Sequence, residues 1–185
     1  MRKIFAVIFI SILLTGYIPS VTSACSCAEL PSVGEELERS QAVFSGKVVD
    51  VREKRSLKGH ITNSVLFDVT STWKGVKQSQ IIITTGLGGG DCGLDFKEGQ
   101  DYLVYAHEST MYGEKSLVTI ICDRTNKLSA LQGDLEILGE GLPPIEEVDL
   151  SGKHDGNQIY MWVALALAIG VVFIFILKRR KRSKK

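Results

Sequence analysis

The chain has 185 residues, 44% of them hydrophobic, and a formal net charge of +1 that hides a segregation by position. All 21 Asp and Glu, but only 13 of the 22 Lys and Arg, fall between Cys25 and Gln158, which leaves that stretch at −8. So acidic a body excludes non-specific nucleic-acid binding, which needs clustered cations, and the roughly 130 residues between the two ends suffice for one core and not for two.

The first end reads Met1-Arg2-Lys3, an apolar run from Ile4 to Leu14, Gly16 and Pro19, then Thr22-Ser23-Ala24. This is the pattern of a secretory signal, residues 1–24, and its apolar run is too short to span a bilayer. A lipoprotein signal would also leave Cys25 first, but usually with Leu three places earlier, where Thr22 stands. Acylation is therefore the weaker expectation, and it would remove the free α-amine of Cys25.

At the other end, Ile159 to Leu177 is uncharged throughout, with Tyr160 and Trp162 near its start, and the basic tail 178–185 follows at once. About 19 apolar residues at ~1.5 Å each cover a hydrocarbon core of ~30 Å. The expectation is a single-pass helix, 159–177, with the amino-terminal domain outside and the tail cytoplasmic. Residues 139–158 hold Gly141, Pro143, Pro144, Glu146, Glu147 and Asp149 and read as an acidic stalk that lets the domain stand off the membrane.

Within the domain, 25–138, Ser32 is placed to cap a short helix through Arg39, with Glu35 and Glu36 in its first turn. Period-two patterning predicts a strand over Gln41–Val51, then a charged hairpin loop, Lys54–Asn63, and a second strand, Val65–Thr72. Ile81–Thr85 is a β-branched third strand, and the glycine-rich loop Gly86–Asp91 follows, its path set by Cys92. Tyr102–His107 and Leu117–Cys122 are the fourth and fifth strands. Leu128, Leu131, Leu135 and Leu138 give Asn126–Leu138 helical spacing. Five strands with flanking helices point to a mainly β protein, a small antiparallel barrel of the OB type.

All four cysteines, Cys25, Cys27, Cys92 and Cys122, lie in the exported region. An even number in an oxidising compartment favours two disulfides, with three pairings possible. A Cys25–Cys27 bridge would close a strained ring. Bridges from the amino-terminal segment to strand ends would each stabilise by roughly 4 kcal/mol in the chain-entropy model. Zinc is a poorer use of these cysteines, since the lone C-x-C has no second paired knuckle.

Cys25-Ser26-Cys27 at the mature terminus, Trp73-Lys74-Gly75, Ile83-Thr84-Thr85, Cys92-Gly93, Gly99, Tyr102-Leu103, Ala106 and Thr119-Ile120-Ile121-Cys122-Asp123 together resemble the tissue inhibitors of metalloproteinases. More broadly the stretch from Cys25 to about Leu138 is similar to netrin-like modules, most of all their short single-domain bacterial members. The resemblance implies an OB fold and the pairings Cys25 with Cys92 and Cys27 with Cys122. It also implies that the amine and carbonyl of Cys25 chelate the zinc of a target metalloprotease, with Ser26 pointing into the adjoining pocket. Ser26, Cys27, Gly88, Gly89, Gly90 and Asp91 would form the inhibitory ridge. The chain lacks the cysteines of the family's third disulfide in this domain, and Gly88-Gly89-Gly90 offers no side chains to protease pockets. The alternative is a non-inhibitory netrin-like module that binds another surface protein.

No resident metal or cofactor is expected. His60, His107 and His154 have no paired spacing, and Gly86–Asp91 has no lysine in the phosphate-loop position. Phe44, Phe67, Trp73, Phe96, Tyr102 and Tyr105 read as core residues rather than a stacking platform for single-stranded nucleic acid. With the cysteines oxidised no nucleophile and base are paired, so catalysis is not expected.

Overall fold

The structure, a computed structural model, describes residues 25–27, 29–56, 59–88, 90–154, 162–163 and 166–167. Ser32 starts the first helix, α1 (Val33–Arg39), through a capping box: its Oγ accepts from the Glu35 N–H, and its own N–H donates to Glu35 Oε2 at 2.8 Å. The strands that follow are β1 (Ala42–Arg55), β2 (Ile61–Lys74), β3 (Gln80–Thr85), β4 (Asp101–Ser109), β5 (Ser116–Val118) and β6 (Asn126–Lys127).

β1 and β2 are longer than their apolar patterns predict, 14 residues each, and take up both ends of the expected loop Lys54–Asn63, because pairing continues past the buried part into the polar end of the hairpin. Register shifts along β1 bend it, so its first half pairs with β2 on one side and with β4 on the other, from Ala42 opposite Ala106 to Lys47 opposite Asp101. Gly46 lies at one shift, where a Cβ would come within 2.6 Å of the Asp68 carbonyl oxygen. Only glycine lets the two backbones approach so closely. β2 pairs antiparallel with β3, β3 parallel with β5, and β5 antiparallel with β4, closing a ring of five strands. β6 adds to the free side of β4.

The ring buries strand residues on both faces. Inward, Phe44, Phe67, Phe96 and Tyr102 meet edge to face, with centroids 4.8–5.4 Å apart along the chain of contacts, among Val48, Val65, Ile83 and Val104. Outward, Val43, Leu103 and Tyr105 are covered by Leu37 of α1 and by Leu128, Leu131, Leu135 and Leu138. Trp73, expected in the core, is only partly buried at the rim of this second cluster.

Two further expected elements differ in extent. The fifth strand ends at Val118, not Cys122, because the Asp123 carboxylate accepts from the Ile120 N–H and turns the chain back. The expected helix over Asn126–Leu138 is three pieces: β6, a 3-10 turn (Leu128–Ala130) and α2 (Gln132–Leu138). The four leucines face one way as their spacing predicts, but the backbone at Asn126 and Lys127 is taken by β4.

The segment read as a stalk does not stand free over residues 139–154. Leu142 exchanges backbone hydrogen bonds with Thr72, Glu146 accepts from the Ser79 N–H and donates to Lys77, and Val148 is bonded to Ser79 Oγ. Trp73 Nε1 donates to the Gly139 carbonyl at 2.9 Å. The strap ends in a helical turn, α3 (Ser151–His154), whose histidine is 1% exposed. His154 Nδ1 lies 3.0 Å from Asp50 Oδ2, and Nε2 lies 2.9 Å from the Ser64 carbonyl. Polar composition suggested a solvated linker; the backbone groups instead find partners along β2 and the β2–β3 connection.

No helix among the described residues is long and apolar enough to cross a membrane. The expected span, 159–177, lies outside those residues except for Trp162, Val163, Ala166 and Leu167, which are helical; residues 1–24 and the tail 178–185 lie wholly outside.

Candidate functional site

Two disulfides fix the amino-terminal segment to the ring. Cys25 pairs with Cys92 and Cys27 with Cys122, each with its Cα atoms 5.2 Å apart. Cys122, Asp123 and Arg124 grip the segment at three successive points. Cys122 holds Cys27, Asp123 Oδ1 pairs with Arg39 at 3.0 Å, and Arg124 Nη1 donates to the Pro31 carbonyl at 3.0 Å. Arg124 is itself oriented by a two-point pair with Asp134, whose Oδ2 also accepts from the Tyr105 hydroxyl. Burial and the adjacent Asp134 charge push that hydroxyl's pKa well up, so it remains a donor.

The loop after β3 carries the other half of the site. The Asp91 carboxylate turns inward and accepts from the N–H groups of Leu87 (2.6 Å), Gly88 (2.9 Å) and Gly93 (3.1 Å). Burial opposes its charge, but the three donors outweigh burial and hold the carboxyl below the usual aspartate range. Tyr112, buried beside the loop, donates its hydroxyl to the Asp91 carbonyl at 2.9 Å. Cys92 has φ 66°, the left-handed region that a residue with a Cβ rarely adopts, and Gly93 lies so close to Gly86 that a Cβ would overlap its backbone. The Leu94 N–H donates to Thr85 Oγ1, closing the loop, and the Ile121 N–H donates to the Cys92 carbonyl, joining the two disulfide-bearing turns.

Of the expected ridge, Ser26 and Cys27 are exposed, Cys25, Gly88, Gly90 and Asp91 are half-buried, and Gly89 lies outside the described residues. Cys25 is therefore held beside the loop. Asp91 is better described as the loop's organiser than as a contact surface, since its carboxylate is spent on backbone donors. Leu30, Leu87 and Ile121 are exposed around this end of the ring and were not among the expected site residues. Leu87, an apolar side chain among glycines with no core to enter, was the readable signal.

A second cluster lies under α1. Glu36, His107 and Asp123 can each bring one ligand atom within 4.8 Å of the others, a grouping that histidine spacing does not reveal. A guanidinium already occupies the cluster: Arg39 Nη2 is 2.8 Å from Glu36 Oε2 and 3.0 Å from Asp123 Oδ1, with His107 Nε2 3.1 Å from the same Asp123 oxygen. Burial raises the Glu36 pKa against the opposing pull of Arg39. The arrangement is an ion-pair network that pins α1 to the Cys122 turn, and a metal would have to displace Arg39. No family model matches the chain, and no curated protein matches it either.

Proposed function

We propose that the chain is a membrane-tethered, extracytoplasmic domain of the tissue-inhibitor type, with an OB-type barrel, that inhibits a zinc metalloprotease through Cys25. Signal cleavage after Ala24 leaves the α-amine of Cys25 free, and the helix 159–177 holds the protein in the cell membrane. The amine and carbonyl of Cys25 then form a five-membered chelate on the protease's zinc, filling the position that catalytic zinc keeps open. The protein needs no cofactor and performs no catalysis of its own.

One observation carries the reading: Cys25 is clamped to Cys92 beside a loop whose backbone Asp91 holds, with Ser26 exposed next to it. A chelating group fixed in this way loses little freedom on binding. The exposed Leu30, Leu87 and Ile121 supply apolar contact that glycines cannot. The same three residues favour the second reading, a netrin-like module that binds a surface protein without inhibiting it.

Mass spectrometry of the amino-terminal peptide from membrane-extracted protein, unreduced and reduced, tests the chemistry. The expected peptide starts at unmodified Cys25 and is linked to Cys92. That protein should inhibit a metalloprotease, and the same protein with one alanine added before Cys25 should not. An acylated Cys25, an upstream start, or inhibition that survives the added alanine overturns the mechanism and leaves the binding module.

A further inference from the structure

Described residues of the acidic domain form a basic groove. It encloses about 500 Å³ between the polar end of the β1–β2 hairpin, β3 and the β4–β5 turn, and among the described residues Lys54, Arg55, Lys115 and Lys153 line it with a single carboxylate, Glu114. Lys115 is paired with Glu108 at 2.6 Å, a contact exposed on both sides. Among the described residues no carboxylate lies within ion-pair distance of Lys54, Arg55 or Lys153. Thr62, Gln78 and Thr84 add polar groups to the wall. Four of the 13 cations between Cys25 and Gln158 thus share one depression in a body of net charge −8.

The strap fixes where this groove faces. Lys153 lines it and His154 is bonded to the Ser64 carbonyl on its wall. From the His154 Cα to that of Ile159, the first residue of the expected span, the chain reaches at most about 18 Å, five residues fully extended. The domain cannot stand away from the bilayer while the strap is docked. Beside an anionic surface, the acidic faces are repelled and the groove is the face that is attracted, within a screening length of ~8 Å.

We infer that the groove takes the headgroup phosphate of an anionic phospholipid in the leaflet the anchor enters, so the domain lies groove-down on the membrane. The inference rests on the membrane-anchor reading under Proposed function. The cations neutralise the phosphate and the wall hydroxyls and amide donate to its oxygens.

The test is lysine acylation of the full chain, read residue by residue by mass spectrometry, in nanodiscs of phosphatidylcholine alone or with phosphatidylglycerol added. In the anionic discs Lys54, Lys115 and Lys153 should react more slowly, by about fivefold each from the attraction of one cation to an anionic surface. Lys97 and Lys127, outside the groove, should not change, and Arg55→Glu should weaken the protection. Equal rates in the two compositions overturn the inference while leaving the anchor intact. Equal protection in neutral discs supplied with inorganic phosphate overturns the lipid assignment, because the groove is then a free-phosphate site. Release of the chain from membranes by alkaline carbonate overturns the anchor reading and this inference with it.

Discussion

The two ends of the domain are both laid against the ring, by opposite means. The amino-terminal segment up to Arg39 is held mainly by side chains: two disulfides, the Arg39 pair with Asp123 and the Arg124 bond to Pro31. Residues 139–154 are held mainly by backbone bonds to Thr72, Lys77 and Ser79, with one buried histidine at the far end. The first kind of attachment sets the position of a functional group within narrow limits. The second is a row of bonds that can be lost one at a time.

The largest effect expected is at the covalent end. Replacing Cys27 and Cys122 by serine together opens a loop of sequence separation 95 and should lower unfolding stability by about 4 kcal/mol in urea titrations of detergent-extracted chain. A loss below about 1 kcal/mol would mean that the Cys25–Cys92 bridge and the ion pairs hold the segment without the second bridge, which would then add nothing to the contrast between the two ends.

Next is Asp91→Ala, which strands three N–H donors and should remove about 3 kcal/mol. The folded pKa of Asp91 is depressed, so its contribution is full above the ordinary aspartate value near 3.9 and is lost as pH falls through the lower folded value. Part of the acid destabilisation of the parent below about pH 4 should therefore be absent from the variant.

At the other end, His154→Ala should free the strap at a loss of about 2 kcal/mol. Amide exchange should quicken at Thr72, Ser79 and Leu142 and stay unchanged at Leu87, Gly88 and Ile121. Faster exchange at both ends would show that the two attachments are coupled. The smallest effect is Ser32→Ala, which removes the capping box of α1 at about 1 kcal/mol by thermal melting.

What the sequence made legible follows the same division. Ser32, Glu35 and the leucines of 128–138 carry their roles in their chemistry and spacing, and the strand cores of β1 to β4 were visible as β-branched and alternating runs. Ile120 and Ile121 look like strand, but the turn that Asp123 imposes is a tertiary contact with no local signature. Cysteine spacing alone left three pairings; the resemblance implied Cys25 with Cys92 and Cys27 with Cys122, and these are the two bridges in the structure. The strap was illegible because backbone pairing asks nothing of side-chain pattern. His154 gave no sign that it would be 1% exposed.

The docked strap also decides where mechanical load enters the domain. A pull on the chain beyond residue 154 is taken first at His154, by Asp50 and the Ser64 carbonyl, on the two longest and most extensively paired strands. It reaches Gly139, and the α2 leucines that pack behind Tyr105, only after every bond from Leu150 back to Leu142 has been peeled away. The turn that carries Cys122, Asp123 and Arg124 is thus mechanically shielded from whatever tugs at the carboxyl-terminal side.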